Sequence, residues 1–236
     1  MKKLICLIAA CLMLLSGCAL RPEPKPEPTA VPTVEPTAEP VLPPVRNAGS
    51  ATHYDIAYFD FESAYAKADI IALVRIGDWL GERNVENEIG LTYYSASVIE
   101  AYKGDAPEQF ILCQDGNSLE SVNGFTLFTY GDELLLYLHR YSNPDYEDMY
   151  YIVGAYVTAM YALPDASGEL YLASLADEMA KTAGIEQVYT HDIAVQEELA
   201  ANCSDPIVKD LMYHSPFICR ASDYIDKLTA LSDRQG

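Results

Sequence analysis

Positive charge is scarce in this sequence. Its 236 residues hold 15 Lys+Arg against 35 Asp+Glu, a formal net charge of −20. A surface so acidic repels phosphate backbones, which excludes a general nucleic-acid binder, and it leaves no basic patch for an anionic membrane. Six cysteines are too few for a disulfide scaffold, and neither a CxxC nor a zinc-finger spacing occurs among them. HExxH is missing, and no GxSxG, S-x-x-K, Walker A or GxGxxG stands in a fitting context. Half of the residues are hydrophobic, enough to bury a core, so a wholly disordered chain is excluded as well. The length suits one domain with attachments, or two small ones.

The N-terminus is informative. Lys2 and Lys3 precede an apolar run over residues 4–15, followed by the small residues Ser16 and Gly17. A run of this length is short for a membrane span and has the layout of a secretory signal. The ending Leu15-Ser16-Gly17-Cys18 resembles the bacterial lipobox. That resemblance implies a diacylglyceryl group on the Cys18 thiol and cleavage between Gly17 and Cys18. Each buried methylene contributes about 0.8 kcal/mol, and two or three chains hold a protein at a bilayer where one holds it only marginally. Cleavage removes two positive charges and no negative ones from −20, leaving −22.

Residues 21–45 carry nine of the 14 prolines. Proline fixes its own backbone angle and lacks an N–H, so this stretch forms neither helix nor central strand. It reads as a polyproline II stalk, which at about 3.1 Å per residue reaches on the order of 75 Å. Residues 47–50 read as a flexible joint.

Beyond the joint, the spacing predicts a helix over 58–67 begun by Asp60 or Glu62. Strands are expected over 70–79, 91–102, 109–114, 133–140, 149–163 (broken at Gly154) and 169–173. The continuous apolar run at 133–140 calls for burial on both faces. In the second strand Glu100 would follow Tyr94, Ala96 and Val98 inward, so a bulge is expected near residues 99–101. Pro164-Asp165-Ala166-Ser167-Gly168 reads as a turn. After Ser174 the period becomes helical: 175–182, 192–201, a helix opened by Asp205-Pro206, and 222–231. Strands first and helices last argue for α+β. The expected fold is a small antiparallel OB-like β-barrel of five or six strands followed by a C-terminal helical segment. The expected boundaries are 1–17 for the signal peptide, 18–50 for the lipidated cysteine and stalk, 51–173 for the barrel and 174–236 for the helical segment.

Three stretches, Ala68-Asp69-Ile70-Ile71, Val98-Ile99-Glu100-Ala101-Tyr102-Lys103-Gly104-Asp105 and Tyr130-Gly131-Asp132-Glu133-Leu134-Leu135-Leu136-Tyr137-Leu138, stand in one order. Together they resemble a group of bacterial extracytoplasmic proteins similar in fold to the OB-type barrel of tissue inhibitors of metalloproteinases. The resemblance covers residues 60–160 and implies fold, with no assigned activity. Those inhibitors chelate zinc through a free N-terminal cysteine. Here that cysteine is expected to carry lipid and lies far from the barrel, so their activity does not carry over.

The remaining chemistry is sparse. Cys113 sits in a predicted strand and reads as a small buried hydrophobe. Cys203 and Cys219 flank one predicted helix; either they pair outside the cytoplasm, or they are separate core residues. His53, His139, His191 and His214 are scattered and read as structural or exposed. The acidic spacing over 165–178 misses a calcium loop at its third position, Ser167, and its glycine, Gly168, comes too early. No catalytic residue, metal ligand or cofactor is nominated. OB barrels bind through one face and the loops beside it. The loops in question are 81–90, with Gly81, Glu82, Arg83 and Asn84, and 115–124, with Asp115, Asn117 and Glu120. The expected role is therefore a non-enzymatic binding module on the extracytoplasmic side of the cell membrane. It is lipid-anchored, and its partner is an extracytoplasmic protein, a peptide or a cell-wall ligand. A hydrolase of unrecognised type and a cation-binding or sensing domain are the alternatives.

Overall fold

The computed structural model describes residues 39–44, 46, 50–57, 59–84, 86, 88–141, 148–176, 178–188, 193–203, 205–214 and 217–235. The signal segment, Gly17, Cys18, the stalk to residue 38 and residues 47–49 of the joint lie outside them.

A helix and a long strand begin the barrel. Helix α1 (Phe61–Lys67) starts where expected, at Asp60. The Asp60 carboxylate accepts from Ser63 N at 2.7 Å, and Asp60 N donates to Ser63 Oγ at 3.0 Å, a reciprocal capping box. Phe61, Ala64 and Tyr65 form its buried face. Lys103 closes its other end, donating to the carbonyls of Tyr65 and Ala68 with its ammonium 4.5 Å from the Tyr65 ring centre. Strand β2 (Ile70–Arg83) follows, 14 residues long. Its first half pairs with β6 (Glu133–Arg140), and nearly its whole length pairs with β3 (Leu91–Lys103). One strand that serves two partners at different heights is how a sheet curls and closes.

Strand β4 (Gln109–Asp115) continues the sheet from β3, and β7 (Met149–Ile152) bridges β4 to β6. The ring β2–β3–β4–β7–β6 is thus a closed five-stranded barrel, as expected of an OB-like fold. Within the ring the β4–β7 pair is parallel and the others are antiparallel, which corrects the all-antiparallel expectation. The predicted bulge is present: Leu73 faces Glu100 and Val74 faces Val98, so Ile99 is the extra residue, and Tyr102 is a second. The first of these shifts swings Glu100 outward.

Two cores share the β2–β6 wall. Ile70, Ala72, Val74, Leu134, Leu136 and Leu138 point into the barrel, while Ile71, Leu73, Leu135 and Tyr137 point to a second cluster outside it. That explains the unbroken apolar run of β6: alternate residues serve different cores. The second core is roofed by α1 and by α5 (Ala221–Gln235), which buries Ala221, Tyr224, Leu228 and Leu231 at helical spacing. Phe61 meets Tyr224 edge-on with ring centres 5.4 Å apart.

The barrel sheet extends through β8 (Met160–Pro164), β9 (Leu170–Ser174) and β10 (Phe217–Arg220). The chain breaks at Gly154, as predicted. Gly154 and Ala155 both adopt positive φ before a 3₁₀ turn (Ala155–Thr158) leads into β8. The β8–β9 turn is also as read, with Asp165 Oδ1 accepting from Ser167 N at 2.8 Å and Glu169 N at 2.9 Å. Helices α2 (Glu178–Thr182), α3 (Ile193–Asn202) and α4 (Pro206–His214) precede β10. The C-terminal part is therefore not purely helical: β10 joins it to the barrel sheet by antiparallel pairing with β9.

A second correction concerns the N-terminal boundary. The compact unit runs from residue 39, not 51. Trp79 N donates to Val41 O at 2.7 Å, Val41 N donates to Asp78 Oδ1 at 2.8 Å, and Leu127 N donates to Arg46 O at 2.8 Å. The non-proline residues of the last stalk segment supply the N–H donors its prolines lack. Further on, β1 (Ser50–Thr52) pairs in parallel with β5 (Glu120–Val122).

Candidate functional site: the loop rim of the barrel

The two segments singled out in the sequence lie against each other, but not wholly as loops: Gly81, Glu82 and Arg83 end strand β2, Asp115 ends β4 and Glu120 opens β5. The Glu82 carboxylate accepts from Ser118 N at 3.0 Å with one oxygen and from Ser118 Oγ at 2.7 Å with the other. The Asn117 amide donates to Asn84 Oδ1. Asn117 Oδ1 accepts from Leu119 N and Glu120 N, each at 2.9 Å, and so folds the loop around itself. Gly116 N donates to Gly90 O at 2.7 Å, and Thr92 Oγ1 to Gly116 O at 2.8 Å. A Cβ on Gly90 would fall 1.8 Å from the Asn117 amide nitrogen, so this approach requires glycine. On the far side, Tyr54 OH donates to Glu120 Oε1 at 3.1 Å, and Ser50 Oγ to Leu119 O at 2.9 Å.

Glu82, Asn84, Asn117 and Glu120 thus belong to one hydrogen-bonded rim. The other candidates have different places. Gly81 pairs with Tyr93 at a bulge that throws Leu80 out of register. Arg83 pairs with Glu88 at 3.3 Å. Asp115 borders a cavity of about 10 Å³ with Val122, Phe125 and Tyr156, and burial raises its carboxyl above the ordinary carboxylate range. Asn117, only 2% exposed, holds the rim together from inside. What the rim presents is apolar: Leu119 is 67% exposed and Leu80 52%. Leu80 lies two residues from Glu82 and Leu119 one from Ser118. Sequence reading missed both leucines: Leu119 is an isolated loop residue that carries no period, and Leu80 sits at a bulge that breaks the alternation of β2.

A charged hub lies at the junction of the stalk end, the barrel and the helical part. Arg46 bonds Asp132 at 3.1 Å, Asp205 and the Leu127 carbonyl at 3.2 Å. Its side chain is 14% exposed and that of Asp132 9%. Thr129 N donates to Asp132 Oδ2 at 2.9 Å, and Tyr161 OH lies 3.3 Å from it. Asp205 Oδ1 caps α4 by accepting from Ile207 N at 2.8 Å, while its other oxygen holds Arg46. Burial lifts the Asp132 carboxyl to about 6, against the opposing pull of Arg46; the Asp205 charge adds to the rise. A folded-state value above the unfolded 3.8 favours the protonated fold. This contribution is fully present below pH 4 and is lost as pH rises through 6. Relative to Asp132→Asn, the wild-type protein should therefore gain on the order of 2–3 kcal/mol between pH 7.5 and pH 4. Denaturant titrations of both proteins at the two pH values measure this, and a difference that stays flat would contradict it.

The motif residues are structural. Gly104 takes positive φ, and a Cβ there would fall 2.1 Å from the Asp69 carbonyl oxygen. Asp69 Oδ2 accepts from Arg140 N at 2.8 Å and lies 2.7 Å from His139 Nδ1. His53 is exposed; His191 and the side chain of His214 lie outside the described residues. Cys113, Cys203 and Cys219 are free thiols. Cys219 is buried in the second core while Cys203 packs against the first, so the structure does not join them. Burial pushes the Cys113 and Cys219 thiols up to about 12, which keeps both protonated. Asp165 directs its Oδ1 into its own turn. Among the described residues no group of three His, Cys, Asp or Glu is placed to hold a metal ion, and no helix is long and apolar enough to cross a membrane.

No family model, curated protein or solved structure matches the chain.

Proposed function

We propose that this protein is a lipid-anchored extracytoplasmic binding module. Cys18 carries the anchor, the proline-rich segment is the tether, and the loop rim of the OB-like barrel engages a protein, peptide or cell-wall ligand. The observation that carries the reading is the rim itself. Surface loops are ordinarily mobile, yet these two are braced by side-chain hydrogen bonds and hold Leu119 out in water. A rigid scaffold with an exposed apolar tip loses little entropy on association and supplies an anchor for a partner's pocket. The segment 84–90, between the barrel's first two strands, is also where OB barrels commonly bind.

Two experiments test the two halves. Cys18→Ala should leave unprocessed precursor and abolish incorporation of a fatty-acid probe; continued labelling of that variant rejects the anchor. For the rim, a photo-crosslinking residue at Leu119 should capture a discrete partner on intact cells, while the same residue at exposed Asp226 should not. Equal adducts from both positions, or none from Leu119, would reject the rim.

A further inference from the structure

A groove of about 410 Å³ opens between the start of α1, the end of α2 and the outer face of α5, and no residue of the loop rim lines it. Its buried lining is apolar: Phe61, Ala183 and Leu231. Two of its lining residues, Asp60 and Glu62, are acidic, and two others, Lys227 and Arg234, are basic. Among the described residues no ion pair within 4 Å joins Lys227 or Arg234 to a carboxylate, or Glu62 to a cation. Both signs of charge therefore line one groove without neutralising each other in direct ion pairs.

The walls are braced. Phe61 N donates to Thr182 Oγ1 at 2.7 Å, tying α1 to α2, and the Phe61 ring packs edge-on to Tyr224 of α5. Lys227 and Arg234 are seven residues apart on α5, two turns or about 10 Å along one face, and their long side chains can converge between those turns. Asp60 stays ionised: hydrogen bonds from the Ser63 backbone and hydroxyl hold its carboxyl below the usual range. The volume falls within the range of small-ligand pockets.

Opposite charges above an apolar lining match a zwitterion. We propose that this groove binds a short peptide with both termini free. Lys227 and Arg234 take its carboxylate, Asp60 and Glu62 take its ammonium, and an apolar side chain rests on Phe61 and Leu231. The site is separate from the loop rim and does not depend on it.

Calorimetric titration of the full chain with alanyl-leucine tests the proposal, alongside the N-acetylated and C-amidated forms of the same dipeptide. The free dipeptide should bind saturably, and each blocked form at least ten-fold more weakly, since a charged group left without its partner is rejected. The double variant Lys227→Ala/Arg234→Ala, at exposed positions, should keep the wild-type melting profile and lose at least ten-fold in affinity for the free dipeptide. Glu62→Gln should narrow the gap between the free and N-acetylated forms. Absence of saturable heat, equal affinity for the blocked forms, or unchanged binding by the folded double variant would each overturn the site.

Discussion

Replacing Arg46 by alanine is expected to destabilise the folded protein by about 3–5 kcal/mol at neutral pH, the usual cost of removing one partner from a buried ion pair. Arg46 is the cation bonded to Asp132, whose side chain is 9% exposed. Without it the Asp132 carboxylate retains only Thr129 N and Tyr161 OH. The same change frees one Asp205 oxygen and the Leu127 carbonyl. The pH dependence separates these parts. Protonated Asp132 needs no cation, so the penalty should shrink at pH 5, below its value of about 6. Urea unfolding of wild type and Arg46→Ala at pH 5 and pH 7.5 measures both quantities. A loss below 1 kcal/mol at pH 7.5 would mean that the hub contributes no more than a surface pair.

Gly104→Ala should be comparably damaging, at roughly 2–5 kcal/mol. A non-glycine residue in the left-handed region costs about 1–2 kcal/mol, and forcing a methyl into packed structure typically costs a further 1–3. The atom the methyl would meet is a backbone oxygen, Asp69 O, at 2.1 Å, and a carbonyl in a strand connection cannot rotate aside as a side chain can. The neighbouring Lys103 would move with it and release the carbonyls of Tyr65 and Ala68 at the end of α1. Thermal unfolding detects the change. Gly168→Ala is a control for the dihedral term alone, since Gly168 also has positive φ but a Cβ there meets nothing within 4 Å. Equal losses from the two substitutions would remove the clash from the explanation.

Much of the fold was legible because strong local signals agreed with the tertiary structure. The run at 133–140 announced a strand buried on both faces, and the misplaced Glu100 announced a bulge. Asp60 and Asp205-Pro206 announced helix starts through their capping chemistry. The elements that were missed lack such signals. Phe217–Arg220 is four residues long, too short to show a period, and its strand character comes from the neighbouring β9 edge. Ser50–Thr52 becomes a strand only by meeting Glu120–Val122, 70 residues away. Arg46 stands among prolines whose composition reads as tether, and nothing local shows that Asp132 and Asp205 come together around it.

Of the rim, the polar frame was legible and the apolar tip was not. Asn117 and Glu82 stood out because turn residues and acids cluster there. Leu119 gains its meaning from the brace beneath it, which exists only after Ser118 has met Glu82. The groove on α5 was equally hidden, since Asp60 and Arg234 are separated by almost the whole folded chain.

The docking of Val41 has a mechanical corollary. Its carbonyl and amide are fastened to Trp79 and Asp78, in the half of β2 that leads to Glu82. A tug arriving from residue 39 therefore loads these two bonds before it reaches Arg46. On the tether proposed above, the barrel would take the strain beside its loops, not through its helices.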